Sequence, residues 1–144
     1  IESFLINKNY PSDLSIIVKK TSFLANVNIN GENFLIGSNR KLIKSELINP
    51  NLPIVLGSPT IDDFFLIKDN ILKSSINFND IKKLYFFTSR RWDLELRNGV
   101  LIKLPIDASF ETLNSFFKVM NLSHFKNKDI FDLRVDNQII VNEL

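Results

Sequence analysis

The stretch from Trp92 to Leu104 limits what this chain can fold into more than any other. Trp92, Leu94 and Leu96 alternate with Asp93, Glu95 and Arg97, then comes Asn98-Gly99, then Val100, Ile102 and Leu104 in alternation again. Period-two alternation is the mark of a strand with one buried face, and Asn-Gly between two such runs marks a hairpin. A two-residue loop would pair Leu96 with Leu101 and set Val100, Ile102 and Leu104 opposite the charged residues. A three-residue loop, Arg97-Asn98-Gly99 with Gly99 in the left-handed region, pairs Leu96 with Val100, Leu94 with Ile102 and Trp92 with Leu104. Only this second register gives one apolar and one polar face.

Around this hairpin the chain alternates short strands with two helices. Residues 1–9 read as the end of a helix, broken by Tyr10-Pro11, and residues 14–19, with Ile16, Ile17 and Val18, as a strand. Residues 25–29 and 33–36 flank Asn30-Gly31 as a second hairpin, which residues 41–43 extend. Residues 54–56 form a further strand before Gly57. A helix follows, capped by Ser58 or Thr60, with Asp62 and Asp63 in its first turn and an apolar stripe of Ile61, Phe64, Phe65, Ile71 and Leu72. Residues 81–88 read as a strand. After Pro105, Asp107 or Ser109 caps a second helix carrying Phe110, Leu113, Phe116, Phe117 and Met120. Residues 130–135 and 139–141 close the chain as strands, with Asp136-Asn137 between them. Helices set between antiparallel strands predict an α+β class with a mainly antiparallel sheet and two packed helices, not a doubly wound parallel sheet.

Composition narrows the function classes. The chain has 144 residues, 44% of them hydrophobic and 24% charged, and its thirteen Phe supply a large core. Its 18 basic and 16 acidic residues are interspersed, with no basic run longer than two, so nucleic acid is not an expected partner. There is no cysteine, which excludes a disulfide scaffold and cysteine-based zinc sites. No apolar stretch approaches the ~18 residues needed to span a membrane. The chain begins at Ile1 and not Met, so any membrane anchor is expected upstream.

Catalysis has little to work with. His124, the only histidine, sits in a polar loop without a flanking acid and reads as a surface residue. Asp62-Asp63 is explained by a helix N-terminus. The four glycines fall at turns, none in a phosphate-cradling pattern. The pairs Phe64-Phe65, Phe86-Phe87 and Phe116-Phe117 read as core rather than base-stacking platforms. No catalytic residue, metal site or cofactor is expected, and a small hydrolase is disfavoured. Two features stay open between a plain and a functional reading. Arg90-Arg91 either covers a sheet edge or presents a guanidinium to a partner's carboxylate. The last strand is either a protected edge or a template for a partner's strand.

These motifs resemble those of the FtsQ/DivIB family of bacterial cell-division proteins. Its Arg-Arg-Trp-x-Leu-x-Leu-x-Asn-Gly run, ending near Leu-Pro, is matched by residues 90–99 and Leu104-Pro105. An Asp-Leu-Arg strand is matched by Asp132-Leu133-Arg134, and a Leu-Pro-x-x-x-Gly element by residues 52–57. Lys20 to Ala25 departs from the family's Arg-x-Pro-x-Ala-like element, Ile36 to Arg40 from its Ile-Asp-x-x-Gly turn, and Val135 stands where an aromatic residue is usual. The resemblance implies that residues 1–22 end a POTRA domain and residues 23–144 form the β domain. It also implies a non-enzymatic protein on the periplasmic side of the inner membrane, which recruits FtsB- and FtsL-like division proteins to the septum. On that reading Arg90 or Arg91 is the charge anchor, and Val135, Asp136, Asn137, Gln138, Ile139, Ile140 and Val141 form the edge that a partner strand augments. The alternative is another POTRA-bearing envelope protein that handles secreted or outer-membrane polypeptides.

Overall fold

The structure, a computed structural model, describes residues 3–9, 13–122 and 129–142. Strands β1 (Ser3–Asn9) and β2 (Asp13–Lys19) pair antiparallel as a two-stranded sheet of their own. Residues 3–9 therefore form a strand and not the end of a helix that the sequence suggested for residues 1–9, of which the first two lie outside the described residues. Seven ladder positions opposite β2, with its β-branched Ile16, Ile17 and Val18, hold Ser3–Asn9 extended.

The remaining strands form one nine-stranded sheet. They are β3 (Phe23–Ile29), β4 (Glu32–Gly37), β5 (Leu42–Lys44), β6 (Ile54–Leu56), β7 (Ile81–Phe86), β8 (Trp92–Leu96), β9 (Leu101–Lys103), β10 (Ile130–Asp132) and β11 (Ile140–Asn142). Their spatial order is β11-β10-β9-β8-β7-β6-β3-β4-β5. Helix α1 (Ile61–Lys73) links β6 to β7, and α2 (Phe110–Met120) links β9 to β10. Both of these strand pairs are parallel, as is β3 with β6. The sheet is α+β and mainly antiparallel, but the helices do not sit between antiparallel neighbours: each is a crossover between parallel strands.

One apolar row explains why this sheet forms. Val27, Val55, Leu84, Leu94, Ile102 and Phe131 lie side by side across six strands in register, and all are buried. Phe64, Ile67 and Ile71 of α1 and Leu113 and Phe116 of α2 join them in a single core. Phe116 meets Phe131 edge to face at 5.0 Å between ring centres. Leu72, expected on the α1 stripe, is exposed; Ile67 takes its place because it stands three residues from Phe64 and four from Ile71.

The helix starts follow local chemistry. Thr60 caps α1, accepting from the Asp63 N–H at 3.1 Å, while the Asp63 carboxylate accepts from the Thr60 N–H at 3.0 Å. Ser109 caps α2. The Trp92–Leu104 hairpin has the three-residue register its alternation demands: Leu96 N–H donates to the Val100 carbonyl at 2.8 Å, Leu94 pairs with Ile102, and Gly99 takes φ +92°.

Candidate protein-binding site

Strand polarity gathers the sequence-selected residues at one end of the sheet. β7, β9 and β10 all point the same way, so the 87–91 turn, the 104–109 loop and the 133–139 loop emerge side by side. Arg90 and Arg91 occupy the first, and Val135 to Ile139 the last. Leu104 N–H donates to the Trp92 carbonyl at 3.1 Å and Leu133 N–H to the Lys103 carbonyl at 2.9 Å, closing the gaps between them.

The two arginines have different surroundings. In the 87–91 turn, Phe87 N–H donates to the Arg91 carbonyl at 3.0 Å and Arg90 N–H to the Phe87 carbonyl at 2.8 Å. The 96–100 loop has the same two bonds, with Gly99 N–H reaching the Leu96 carbonyl at 3.0 Å. Arg90, at φ +64°, thus stands where the other loop uses glycine. Its side chain is 67% exposed, and one Nη2 donates to the Oδ1 of Asp63. Burial raises the Asp63 carboxyl, but hydrogen bonds from Thr60 and the charge of Arg90 outweigh it and leave its pKa below the usual value. The left-handed conformation costs a non-glycine residue about 1–2 kcal/mol, and an exposed ion pair returns about 0–1 kcal/mol. The ion pair with Asp63 therefore offsets at most part of that cost.

Arg91 is only 16% exposed. Its Nη1 donates to Asp93 Oδ1 at 2.6 Å, and its guanidinium stacks 4.3 Å from the Phe87 ring centre. Asp93, Lys103 and Asp132 stand abreast on β8, β9 and β10, on the face away from the helices. Burial pushes the Asp93 carboxyl up against the opposing pull of Arg91, Lys103 and Arg134. Hydrogen bonding from Arg134 leads in holding Asp132 below the carboxylate range, with contacts of 2.8 Å from Nε and 3.1 Å from the backbone N–H. Asp132-Leu133-Arg134 is thus a folded unit: the Asp grips the Arg two residues on, and Leu133 is buried between.

The strand read over residues 130–135 is shorter than its sequence suggested, and the last strand, read over 139–141, starts one residue later. β10 stops at Asp132, and of the seven candidates only Ile140 and Val141 lie on β11. Val135, Asp136, Asn137, Gln138 and Ile139 form the connection, with Gln138 N–H donating to the Val135 carbonyl at 3.2 Å and Asn137 at φ +57°. They line a cleft of about 460 Å³ against Pro105, Asp107 and the first turns of α2. At the sheet's other edge β5 carries Lys44, paired with Glu32 at 2.7 Å, whereas the described residues of β11 carry no charge. His124 lies outside the described residues.

Gly57, at φ +95°, explains another motif. A Cβ there would stand 2.2 Å from the Phe86 carbonyl oxygen, so glycine lets the chain after β6 pass against the end of β7.

Among the described residues the fold is thus a two-layer α+β domain whose sheet ends at β11, with Arg90 exposed at the turn between β7 and β8. Residues 25–134 match the family described as cell division protein FtsQ/DivIB, C-terminal, and the chain belongs to that family. No curated protein sequence matches the chain at a significant level. Among solved structures, the chain is similar to the major extracytoplasmic domain of the trans isomer of the cell division protein DivIB from Geobacillus stearothermophilus. The TM-score is 0.52 at 13% identity, covering 72% of this chain and 92% of that one. At that identity the likeness is one of fold. Among the described residues no helix is long and apolar enough to cross a membrane.

Proposed function

We propose that this cell-division protein is a recruitment module on the extracytoplasmic side of the membrane, binding FtsB- and FtsL-like partners through the β11 edge and Arg90 without catalysis. The observation that carries the reading is Arg90 itself: a strained, exposed guanidinium at the same end of the sheet as an uncharged strand edge. Arg91, committed to Asp93 and Phe87, positions the turn and is not the anchor. A strand added beside β11 lies four strand spacings from β8, about 19 Å at ~4.8 Å each. Its partner therefore needs at least about six extended residues between the augmenting strand and the acid that meets Arg90.

Residues 1–22 fit the end of a POTRA domain. β1 and β2 expose apolar side chains on both faces, Leu5 with Ile6 on β1 and Ile16 with Val18 on β2, and an isolated two-stranded sheet is marginal in water. Hydrogen exchange on the chain with and without the extracytoplasmic segment of an FtsB-like protein tests the edge. Amides of residues 140–142 gain protection if a strand is added. Binding that leaves them unprotected rules out augmentation at β11.

A further inference from the structure

The two stretches in which the chain departs from the family pattern, Lys20 to Ala25 and Ile36 to Arg40, lie against each other. β2 ends at Lys19 and β3 begins at Phe23, so residues 20–22 connect the two sheets, and among the described residues no strand ladder joins them. Phe23 faces Gly37 as the outermost pair of the β3–β4 ladder. Beyond it, Ser22 and Ser38 share two hydrogen bonds. The Ser38 N–H donates to the Ser22 carbonyl at 2.8 Å, and the Ser22 N–H donates to the Ser38 Oγ at 3.0 Å. Two bonds to one residue restrict its orientation as well as its position.

Thr21 is held as well. A Cβ on Gly37 would stand 2.9 Å from the Thr21 Cγ2 and 2.5 Å from the Asn39 Oδ1, so glycine leaves the space into which the Thr21 methyl packs. The Thr21 hydroxyl is buried and, among the described residues, has no hydrogen-bond partner. A buried unpaired hydroxyl opposes folding, so packing and not a polar contact keeps Thr21 in place. Of the connector only Lys20 stands outside these contacts, and it is exposed.

The turn that receives the connector is itself tied down. Gly37 N–H donates to the Lys41 carbonyl at 2.9 Å, Arg40 N–H to the Gly37 carbonyl at 3.0 Å and Lys41 N–H to the Asn39 Oδ1 at 3.1 Å. The Arg40 guanidinium pairs with Asp62 and lies 4.4 Å from the centre of the Phe65 ring, both on α1.

We propose that the 37–41 turn is a latch on the connector, holding the β1–β2 sheet at a fixed orientation to the nine-stranded sheet. The two sheets then reorient as one body, and the place of β1–β2 relative to the β11 edge is set before any partner binds. The proposal is independent of the recruitment reading.

The test is NMR on the isotope-labelled natural chain and on Gly37→Ala/Ser38→Ala, which fills the space beside Thr21 and removes one of the Ser22 bonds. In the natural chain the Thr21 and Ser22 amides should have order parameters of about 0.85, and residual dipolar couplings from β2, β3, β4 and β7 should fit one alignment. In the variant those order parameters should fall below about 0.6, and the two sheets should need separate alignments. Amide shifts of β7 and β8 check folding, and Ser38→Ala alone replaces the double variant if that does not fold. Thr21→Val keeps the shape and loses the unpaired hydroxyl; it should keep one alignment and raise the urea midpoint. Mobile connector amides or two alignments in the natural chain overturn the proposal. So does a latch variant that reorients as the natural chain does, or a Thr21→Val chain that needs two alignments.

Discussion

Replacing Arg90 with glycine separates folding from binding. The substitution relieves a left-handed conformation costing about 1–2 kcal/mol. It adds unfolded-state freedom worth about 0.4–1 kcal/mol. It also removes the ion pair with Asp63, worth about 0–1 kcal/mol given that Arg90 is mostly exposed. Asp63 keeps its bonds with Thr60, at 3.0 Å from the backbone N–H and 2.8 Å from the hydroxyl, so no buried charge is stranded. The sum runs from about 1 kcal/mol less to about 1.6 kcal/mol more stable than the natural chain, a melting shift no larger than about 6 °C. Gly99→Ala, at φ +92° with no atom within 4 Å of the added Cβ, should instead lose about 1 kcal/mol from backbone strain alone. Urea unfolding followed by Trp92 fluorescence measures both. Trp92 is the only tryptophan, buried, with its ring centre 4.8 Å from that of Phe86. A loss above about 2 kcal/mol for Arg90→Gly would mean that Arg90 is kept for the fold and not for a partner.

Other positions give sharp outcomes. Burial and then the Glu95 hydrogen bond, at 2.6 Å, push the Tyr85 hydroxyl up to about 12 from an ordinary value of 10.0. A raised folded value means that this stabilisation is complete below pH 10 and is lost as pH climbs toward 12. Tyr85→Phe should flatten the stability profile between those values, and an unchanged alkaline slope would show that the Tyr85–Glu95 bond is not its source. In a Tyr10→Phe background, ultraviolet titration of tyrosinate reads Tyr85 alone, since the chain has two tyrosines. Gly57→Ala combines φ +95° with a 2.2 Å approach to the Phe86 carbonyl and should cost about 3 kcal/mol. Gly31→Ala, with nothing within 4 Å, should cost about 1 kcal/mol by urea midpoint. Equal costs at the two glycines would mean that the close approach to β7 is not what requires Gly57.

What was legible in the residues was local. Trp92 to Leu104 specified its own register because a one-residue slip would have turned Leu94 and Ile102 to the polar face. Thr60 and Ser109 were recognisable as caps because the N-cap hydroxyl acts within one turn. The parallel pairing of β6 with β7 and β9 with β10 was not legible, since period-two alternation reports a buried face and not the direction of a neighbour. β1 was misread for the same reason: its seven ladder pairs belong to β2 as much as to itself. At the site, adjacency could not rank Arg90 against Arg91. The distinction comes from a left-handed φ at one and a partner two residues along the strand at the other. Arg91 stands two residues before Asp93 of β8, so their pairing carried a signal in the alternation. The link from Arg90 to Asp63, 27 residues earlier, carried none, since it depends on where α1 crosses.

Recruitment anchored on Arg90 is tested by calorimetric titration of the chain with the extracytoplasmic segment of the same organism's FtsB-like protein. Binding should be saturable and should fall at least about tenfold in Arg90→Glu. Arg90→Glu should keep the urea midpoint close to that of the natural chain. No binding by the folded natural chain, or binding unchanged in Arg90→Glu, would contradict it.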